Sequence, residues 1–471
     1  MTQHFDIAIL GAGPGGYVAA LKAGQLGASV AVVEMGPLGG ACLNVGCIPS
    51  KALLASAELL HRIQRAGELG VEVPAGTTVN WPKVQSRKDR VIAGLRAGIK
   101  NLFAGRKVTL FQGRAVLNGP GKVVVTGKDG AAQELTAAHT ILAVGSMPAR
   151  IPGWPADPEV VCTSDEALHW KTLPKRLLIV GGGIIGCEFA CMMQAFGVEV
   201  TVVEMMPRLL PELDGQLAEA MLKVFTKRKI RCLTGTKVQE MILAGAVAKA
   251  TLTDGAVIEA DKVLVAVGRR PNTAQIGLET VGLTTDRGFV RVDDYMETPV
   301  KGTYCIGDAN GRCLLAHAAS AQGVAAVENI LGHRRPFDAP IPSCVYTFPE
   351  IGVVGLSQEQ ARAKGIPVAI GTFPIGYLGK AMAVGDTEGF VKVIRHRESG
   401  ALLGVHMMGH NVTECIAAAG ALMHRKVTVR EVAEVVFSHP TISEAFKEAA
   451  EDALGAALHL PPRKVIRVAA E

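Results

Sequence analysis

Short apolar runs and glycine-rich turns alternate over the first half of the chain. Residues 5–10 form one apolar run, the glycine-rich residues 11–16 follow it, and a helical pattern reaches Leu26 before a second apolar run at 29–33. Strands buried on both faces of a parallel sheet have this continuous apolar character. The pattern therefore predicts a βαβ unit at the start of the chain.

The same order of elements recurs further along. An apolar run at 177–180 precedes the glycine-rich residues 181–186, a helical pattern to Phe196 and a strand pattern at 199–203. Five residues of the first unit return 170 positions later: Gly11, Gly13, Gly16, Gly27 and Glu34. Two further apolar runs that end in glycine, at 140–145 and 262–268, are expected to close the two sheets.

The pattern changes in the last third. Residues 303–308 predict a strand that ends in an acid, and a helical pattern follows at 316–331. Beyond residue 341, strand patterns around 390–408 and helical patterns at 414–424 and 444–458 suggest a separate α+β domain. The predicted fold class is α/β, with two Rossmann-like domains and a C-terminal α+β domain.

Composition narrows the class of protein. The 471 residues correspond to about three domains at roughly 150 residues each. The 49 basic and 43 acidic residues contain no long run of one sign, so a nucleic-acid partner is not expected. There is no apolar stretch of 18 residues, and a strand pattern starts at Phe5, so we predict a cytoplasmic protein without a membrane span.

Each repeated unit has the pattern of a dinucleotide-binding turn. The first glycine permits the sharp turn, the second lets the backbone approach a pyrophosphate, and the third lets the helix pack against the strand. These residues are Gly11, Gly13 and Gly16 in the first unit, and Gly181, Gly183 and Gly186 in the second. A tight glycine turn without a ligand is the plainer alternative, but strand, helix, strand and acid are all present, so two dinucleotides are predicted.

The acids that follow the second strands, Glu34 and Glu204, are placed to accept hydrogen bonds from ribose hydroxyls. A carboxylate at 204 would repel the 2′-phosphate of NADP, which favours NAD. Arg208, four residues further on, weakens this preference.

Two cysteines close to the first unit invite redox chemistry. Cys42 and Cys47 are not spaced as a zinc knuckle, and no second Cys/His pair accompanies them, so no metal is predicted. Residues five apart in a regular helix are about 7.5 Å apart along its axis, too far for a disulfide. Gly46 and Pro49 could supply the irregular backbone that a disulfide requires. Two small buried residues remain the alternative.

Together, residues 39–51 (GGACLNVGCIPSK), both glycine units, residues 304–308 (YCIGD) and residues 439–444 (HPTISE) resemble the dihydrolipoyl dehydrogenase family of flavin disulfide reductases. The resemblance covers essentially the whole chain. It implies FAD and NAD as cofactors, with electrons passing from dihydrolipoyl groups to a Cys42–Cys47 disulfide, through the flavin and on to NAD. It also implies domains at 1–148 (FAD), 149–272 (NAD), 273–342 (central segment) and 343–471 (interface).

The resemblance assigns roles residue by residue. Cys42 would exchange with the dithiol, and the thiolate of Cys47 would face the flavin. Lys51 would lie near the flavin with Glu188 as its partner, although a surface lysine and a helix-start glutamate are the alternative. Further residues would contact the cofactors: Ala115, Gly145, Asp308 and Ala316 for FAD, and Val238 and Gly268 for NAD.

His439 has two interpretations. Its imidazole could accept a proton from a dithiol while Glu444 fixes its tautomer. Alternatively, Thr441 and Glu444 could form a helix capping box. The resemblance favours the catalytic pair, with His439 acting in the partner subunit's site, and so implies a homodimer.

The implied partners are lipoyl domains and the core acyltransferase of a 2-oxo acid dehydrogenase complex, or the lipoyl carrier of glycine cleavage. Three residues depart from the common family pattern: Val144, Ala318 and Phe437. The rival functions are another disulfide reductase and a flavin-binding subunit without turnover.

Overall fold

A computed structural model describes residues 3–74 and 76–461. The elements up to residue 148 begin with a βαβ unit and end in a long strand followed by a short one. They are β1 (Gln3–Leu10), α1 (Pro14–Gln25), β2 (Val30–Glu34), α2 (Gly40–Val45), α3 (Cys47–Gln64), α4 (Trp81–Gly105), β3 (Thr109–Gln112), β4 (Arg114–Leu117), β5 (Lys122–Thr126), β6 (Ala132–Leu142) and β7 (Ser146–Pro148).

The second set of elements repeats this plan. It comprises β8 (Val161–Thr163), α5 (Ser164–Ala167), β9 (Arg176–Val180), α6 (Ile184–Ala195), β10 (Glu199–Glu204), α7 (Gly215–Lys227), β11 (Arg231–Thr234), β12 (Val238–Ala244), β13 (Val247–Leu252), β14 (Val257–Ala260), β15 (Lys262–Val265) and β16 (Arg269–Pro271).

The two sheets share one parallel topology. The first runs β3-β2-β1-β6, and the second runs β11-β10-β9-β15-β8. In both, the strand that opens the βαβ unit lies centrally, so its glycine turn emerges at the carboxyl edge where ligands of open parallel sheets bind. Each parallel sheet is accompanied by a three-stranded antiparallel segment, β4-β5-β6 in the first and β12-β13-β14 in the second.

The central segment returns to the first sheet. It contains β17 (Thr285–Asp286), β18 (Phe289–Val290), β19 (Thr303–Cys305) and α8 (Ala316–Ile330). Strand β19 pairs in parallel with β6, and α8 packs on α1. The acid at the end of β19 is thereby brought to the same edge as the first glycine turn.

The last elements form a five-stranded antiparallel sheet with helices, in the order β20-β21-β24-β23-β22. They are β20 (Ser343–Val345), β21 (Glu350–Gly355), α9 (Gln358–Ala363), β22 (Val368–Pro374), α10 (Gly379–Val384), β23 (Phe390–His396), β24 (Leu402–Gly409), α11 (Val412–His424), α12 (Val429–Glu434) and α13 (Glu444–Ala453).

Helix α13 is shorter than the sequence pattern predicted. The expected helix at 444–458 ends at Ala453, because Gly455 adopts φ +74° and its N–H closes the helix on Asp452. The predicted domain boundaries stay a prediction; their outermost residues, 1–2 and 462–471, lie outside the described part of the chain.

Candidate active site

The glycines of the two phosphate turns divide into those that packing requires and those that it does not. A Cβ on Gly181 would lie 2.3 Å from the Ala266 carbonyl oxygen, and one on Gly186 would lie 1.9 Å from the Gly181 carbonyl oxygen. Gly11 and Gly16 have the same close backbone contacts in the first turn, at 2.4 and 1.9 Å. The first and third glycines are therefore explained by the fold alone.

The second glycines have no such explanation. A Cβ on Gly183 would meet nothing within 4 Å, and one on Gly13 would meet only Gly40 Cα at 3.8 Å. Both residues precede the first residue of a helix, where free N–H groups and the positive dipole end attract phosphate. Space that the protein leaves open beside these two helix ends fits the pyrophosphates of FAD and NAD.

The two acids are held in the same way in both repeats. Glu34 accepts hydrogen bonds from the N–H groups of Ala12 and Gly36, both at 2.7 Å. Glu204 accepts from Gly182 and Met206, both at 2.6 Å. Each carboxylate is thus fixed at the edge of its turn, and each oxygen keeps a lone pair that can accept a ribose hydroxyl.

Arg208 does not approach the Glu204 carboxylate. Its guanidinium donates to the carbonyl oxygens of Pro211 and Leu213 at 3.2 and 3.1 Å, and it lies 3.5 Å from Glu359. An arginine occupied in this way is a poor partner for a 2′-phosphate. The observation strengthens the preference for NAD.

The two cysteines lie on different helices. Cys42 belongs to α2, Cys47 is the first residue of α3, and Gly46 between them has φ −143° and ψ −117°. The irregular backbone expected from the sequence is therefore present at Gly46. Both cysteines are free thiols in this structure.

Asn44 fixes the turn between the two cysteines. Its side-chain amide donates to the carbonyl oxygens of Leu38 and Gly40, at 3.1 and 2.8 Å, and its oxygen accepts a hydrogen bond from Arg96 of α4. The sequence suggested no role for either side chain.

The two thiols have opposite acidities. A hydrogen bond from the Cys42 thiol lowers the pKa of Cys47 to about 7; burial opposes this effect, and the charge of Lys51 adds to it. The same contact, together with burial, raises the pKa of Cys42 above its ordinary value. Cys47 is therefore the more acidic thiol of the pair and the one that ionises near neutral pH.

Lys51 and Glu188 form a partly buried ion pair. The ammonium lies 2.9 and 2.8 Å from the two carboxylate oxygens, and the glutamate side chain is only 6% exposed. The Tyr346 N–H also donates to Glu188 at 3.0 Å, and Lys51 Nζ lies 4.4 Å from the centre of the Tyr346 ring. The alternative of an isolated surface lysine is wrong.

Asp308 lies in a one-turn helix directly after β19, at the edge of the first sheet. Its carboxylate accepts a hydrogen bond from the Ser146 hydroxyl, which itself accepts from Arg269 Nε at 2.7 Å. Arg269 also donates to the Ser146 carbonyl oxygen at 2.8 Å. Ser146 and Arg269, which the sequence did not single out, thus orient the carboxylate that the resemblance assigns to FAD.

The other predicted cofactor residues are backbone positions. Ala316 is the first residue of α8, and Ala115 lies in β4. Gly145 and Gly268 have φ +65° and +113°, and a Cβ on either would meet nothing within 4 Å. Val238 lies at the start of β12 and is 4% exposed.

Both interpretations of Glu444 contain a correct contact. One oxygen accepts from His439 Nδ1 at 2.9 Å, and the other accepts from the Thr441 N–H at 2.8 Å. Helix α13 begins at Glu444 with Ser443 as its N-cap, so a capping box on Thr441 is not formed. The His439 side chain is 76% exposed, and no hydrogen bond joins it to Cys42 among the described residues.

The described residues contain neither a candidate metal cluster nor a candidate membrane-spanning helix. Over 3–74 and 76–461, no group of three or more His, Cys, Asp or Glu residues could hold a metal ion. Over the same residues, no helix is long and apolar enough to cross a membrane.

Comparisons with known proteins agree with the geometry. Residues 5–323 match the pyridine nucleotide-disulphide oxidoreductase family, and residues 341–450 match its dimerisation domain. The dihydrolipoyl dehydrogenase of Bacillus subtilis is 41% identical and covers 98% of this chain and 100% of its own length. That of Zymomonas mobilis is also 41% identical, with the same coverage. The crystal structure of LpdA from Mycobacterium tuberculosis superposes with a TM-score of 0.89 at 30% identity, covering 96% of this chain and 99% of that one.

Proposed function

The chain belongs to the pyridine nucleotide-disulphide oxidoreductase family, and on that premise we propose how its own residues oxidise dihydrolipoyl groups with FAD and NAD. The observation that carries the proposal is the Cys42–Cys47 pair on the adjacent helices α2 and α3, with its opposed thiol acidities and the Lys51–Glu188 ion pair beside it. When bound, FAD carries the electron pair from the cysteines to NAD. The Gly13 turn and Glu34 would hold FAD, and the Gly183 turn and Glu204 would hold NAD.

The reaction begins with the Cys42–Cys47 disulfide. His439 of the partner subunit accepts a proton from one thiol of the substrate, and the resulting thiolate attacks Cys42 Sγ. The Cys42–Cys47 bond breaks, and Cys47 leaves as the thiolate, which its lowered pKa of about 7 favours.

The second thiol of the substrate then attacks the mixed disulfide. The lipoyl disulfide forms, and Cys42 is released as a thiol after taking up a proton. Two electrons now reside on the cysteine pair; FAD, held by the Gly13 turn and Glu34, would accept them for NAD, which would allow the Cys42–Cys47 disulfide to be restored. The raised pKa of Cys42 and the lowered pKa of Cys47 suit these unequal roles.

The assignment of His439 to the partner's site rests on its exposure and on the family's dimerisation domain at 341–450. Glu444 would hold the imidazole so that Nε2 faces the substrate, because Nδ1 is occupied at 2.9 Å. A homodimer is therefore required for turnover.

We further propose that the dithiol is presented by lipoyl domains. The enzyme would assemble with the core acyltransferase of a 2-oxo acid dehydrogenase complex or with the lipoyl carrier of glycine cleavage. The cytoplasmic location expected from the sequence stays a prediction.

The proposal is tested with purified protein, dihydrolipoamide, and NAD or NADP. We expect turnover with NAD, and a long-wavelength thiolate-to-flavin absorbance band after anaerobic two-electron reduction that Cys47→Ser abolishes. His439→Ala should lose about 10²–10⁴-fold in turnover but keep FAD and the dimer.

A matched control is available for the histidine. His459 contacts Glu448 at 2.8 Å and is 72% exposed, so His459→Ala removes a His–Glu pair of similar geometry one helical turn from Glu444. Turnover close to wild type is expected for this variant. A wild-type protein without the band, or a fully active His439→Ala, would contradict the mechanism.

A further inference from the structure

The Lys51–Glu188 pair receives a third partner from the last domain. Tyr346 follows β20, its N–H donates to Glu188 at 3.0 Å, and its ring centre lies 4.4 Å from Lys51 Nζ. Neither glycine unit nor the cysteine segment contains this residue. The redox centre is therefore contacted by an element more than 290 residues away in sequence from the cysteines.

The segment that carries Tyr346 is itself anchored on the second domain. The Phe348 N–H donates to Cys191 Sγ on α6 at 3.2 Å, and Arg228 donates to the Phe348 carbonyl oxygen at 2.9 Å. Glu188 and Cys191 are three residues apart on α6, so one face of that helix accepts hydrogen bonds from two alternate backbone N–H groups of the segment, those of Tyr346 and Phe348. Tyr346 is thus held in a fixed position beside Lys51.

A neutral aromatic ring restrains an ammonium through its quadrupole. Burial is the main reason why the pKa of Tyr346 is raised to about 12, so the phenol stays neutral. Four nearby groups add to this effect: Cys344, Glu350, Glu188 and Glu414. Lys51 is 32% exposed, and without the ring its ammonium would have more freedom to turn toward solvent.

We propose that Tyr346 is a positioning residue that holds Lys51 against the cysteine pair, so that the last domain tunes the thiolate of Cys47. The ring acts through Lys51 and does not touch the reacting sulfur atoms. Among the described residues, the titratable groups that act on Cys47 are Cys42 from α2, Lys51 from α3 and Glu188 from α6.

The inference rests on the proposed function, and its test uses the FAD-containing dimer. The long-wavelength band of the two-electron-reduced enzyme is titrated against pH, and its midpoint reports the pKa of Cys47. Tyr346→Leu should raise this pKa by about half a unit, which is the scale of an exposed cation–π contact. The separate variant Tyr346→Phe keeps an aromatic ring and should have the same midpoint as the wild type.

A second cation–π pair provides the control. Arg334 lies 4.3 Å from the centre of the Tyr295 ring, in the central segment. Tyr295→Leu removes a contact of the same geometry and should leave the midpoint unchanged. Alkylation of reduced apoprotein against pH, with the Cys47 peptide identified by mass spectrometry, gives a second measure of the same pKa without FAD.

Each outcome decides the proposal. A Tyr346→Leu midpoint within 0.2 unit of wild type, or an equal rise in Tyr346→Phe, overturns it, since 0.2 unit is well below the roughly half-unit expected. If the leucine variant does not bind FAD, Tyr346→Trp carries the test: it should keep the midpoint at or below that of wild type, and a rise overturns the proposal. A wild-type enzyme without the band would instead contradict the proposed function.

Discussion

Alanine substitutions at Gly183 and Gly186, three residues apart in the second phosphate turn, should have opposite consequences. A Cβ on Gly186 would lie 1.9 Å from the Gly181 carbonyl oxygen and 3.3 Å from Ile179 Cγ2, so α6 would have to move away from β9. Overpacking of this kind costs about 1–3 kcal/mol, and the upper end applies here because the obstacle is backbone. Gly186→Ala should therefore lower stability strongly.

Gly183→Ala should leave stability almost unchanged. The added Cβ meets nothing within 4 Å, and the residue has φ −75°, which alanine adopts readily. Loss of a favourable N-cap residue destabilises the fold, whereas the lower entropy of the unfolded alanine variant stabilises it. The two effects nearly cancel, at roughly 0.5–1 kcal/mol each. The methyl group would instead occupy the space proposed for the pyrophosphate of NAD. We expect the KM for NAD to rise by about tenfold or more, equivalent to about 1.4 kcal/mol of lost binding.

The assays are thermal and urea unfolding for stability, and steady-state kinetics with direct titration for NAD. The control is Gly94→Ala on the exposed side of α4, where a Cβ also meets nothing within 4 Å; it should be neutral or stabilising by about 0.5–1 kcal/mol, with unchanged kinetics. The reasoning fails if Gly183→Ala unfolds as readily as Gly186→Ala, or if it binds NAD like the wild type.

Three further predictions follow from buried or paired charges. Lys392→Met should cost about 3–5 kcal/mol of unfolding free energy, because it leaves the fully buried Asp214 carboxylate without the ammonium 2.9 Å from both its oxygens. Burial raises the pKa of Asp214, but Lys392 and the hydrogen bonds outweigh it and hold the pKa below its ordinary value. The stability from this pair is thus present above the ordinary carboxyl pKa and lost as pH falls through the lowered pKa. The difference in unfolding free energy between wild type and variant should therefore be smaller in acid than at pH 7. Glu444→Gln should lower dihydrolipoamide turnover by about tenfold or more in steady-state assays without loss of FAD, since the Nδ1 contact at 2.9 Å loses its charge. The long-wavelength band of the reduced wild type should grow with rising pH and reach half its height near pH 7, the pKa of Cys47; a flat profile between pH 6 and 8 would contradict the assigned acidity.

The parts of the fold that the sequence predicted are those that depend on neighbouring residues. Gly16 and Gly186 are required by contacts within a single turn, with Gly11 and Gly181, so the spacing of these pairs is visible in the chain. The strand at 303–308 was predicted from its apolar run and closing acid, and β19 occupies 303–305. The end of α13 was missed because the helical pattern continues to residue 458, while a positive φ at Gly455 ends the helix.

The contacts that join the domains could not be predicted from patterns of neighbouring residues. Asp214 and Lys392 are 178 residues apart, and Ser146 and Asp308 are 162 residues apart. Such pairs depend on how separate sheets are placed, which no local spacing records. Tyr346 was missed for the same reason, although it follows a short strand and contacts both members of a predicted ion pair.

The repeat itself shows why the second domain takes part in the chemistry of the first. Glu188 corresponds, 170 residues earlier, to Val18 on α1, so the two units differ where the redox centre needs a carboxylate. Helix α1 packs on α8 of the central segment, whereas α6 packs on α3, which carries Cys47 and Lys51. A carboxylate at position 18 would lie on a helix that packs on α8 and not on α3. The two copies share the turn but differ in their packing partners. This difference explains why the second copy, unlike the first, also contributes a carboxylate beside the cysteine pair.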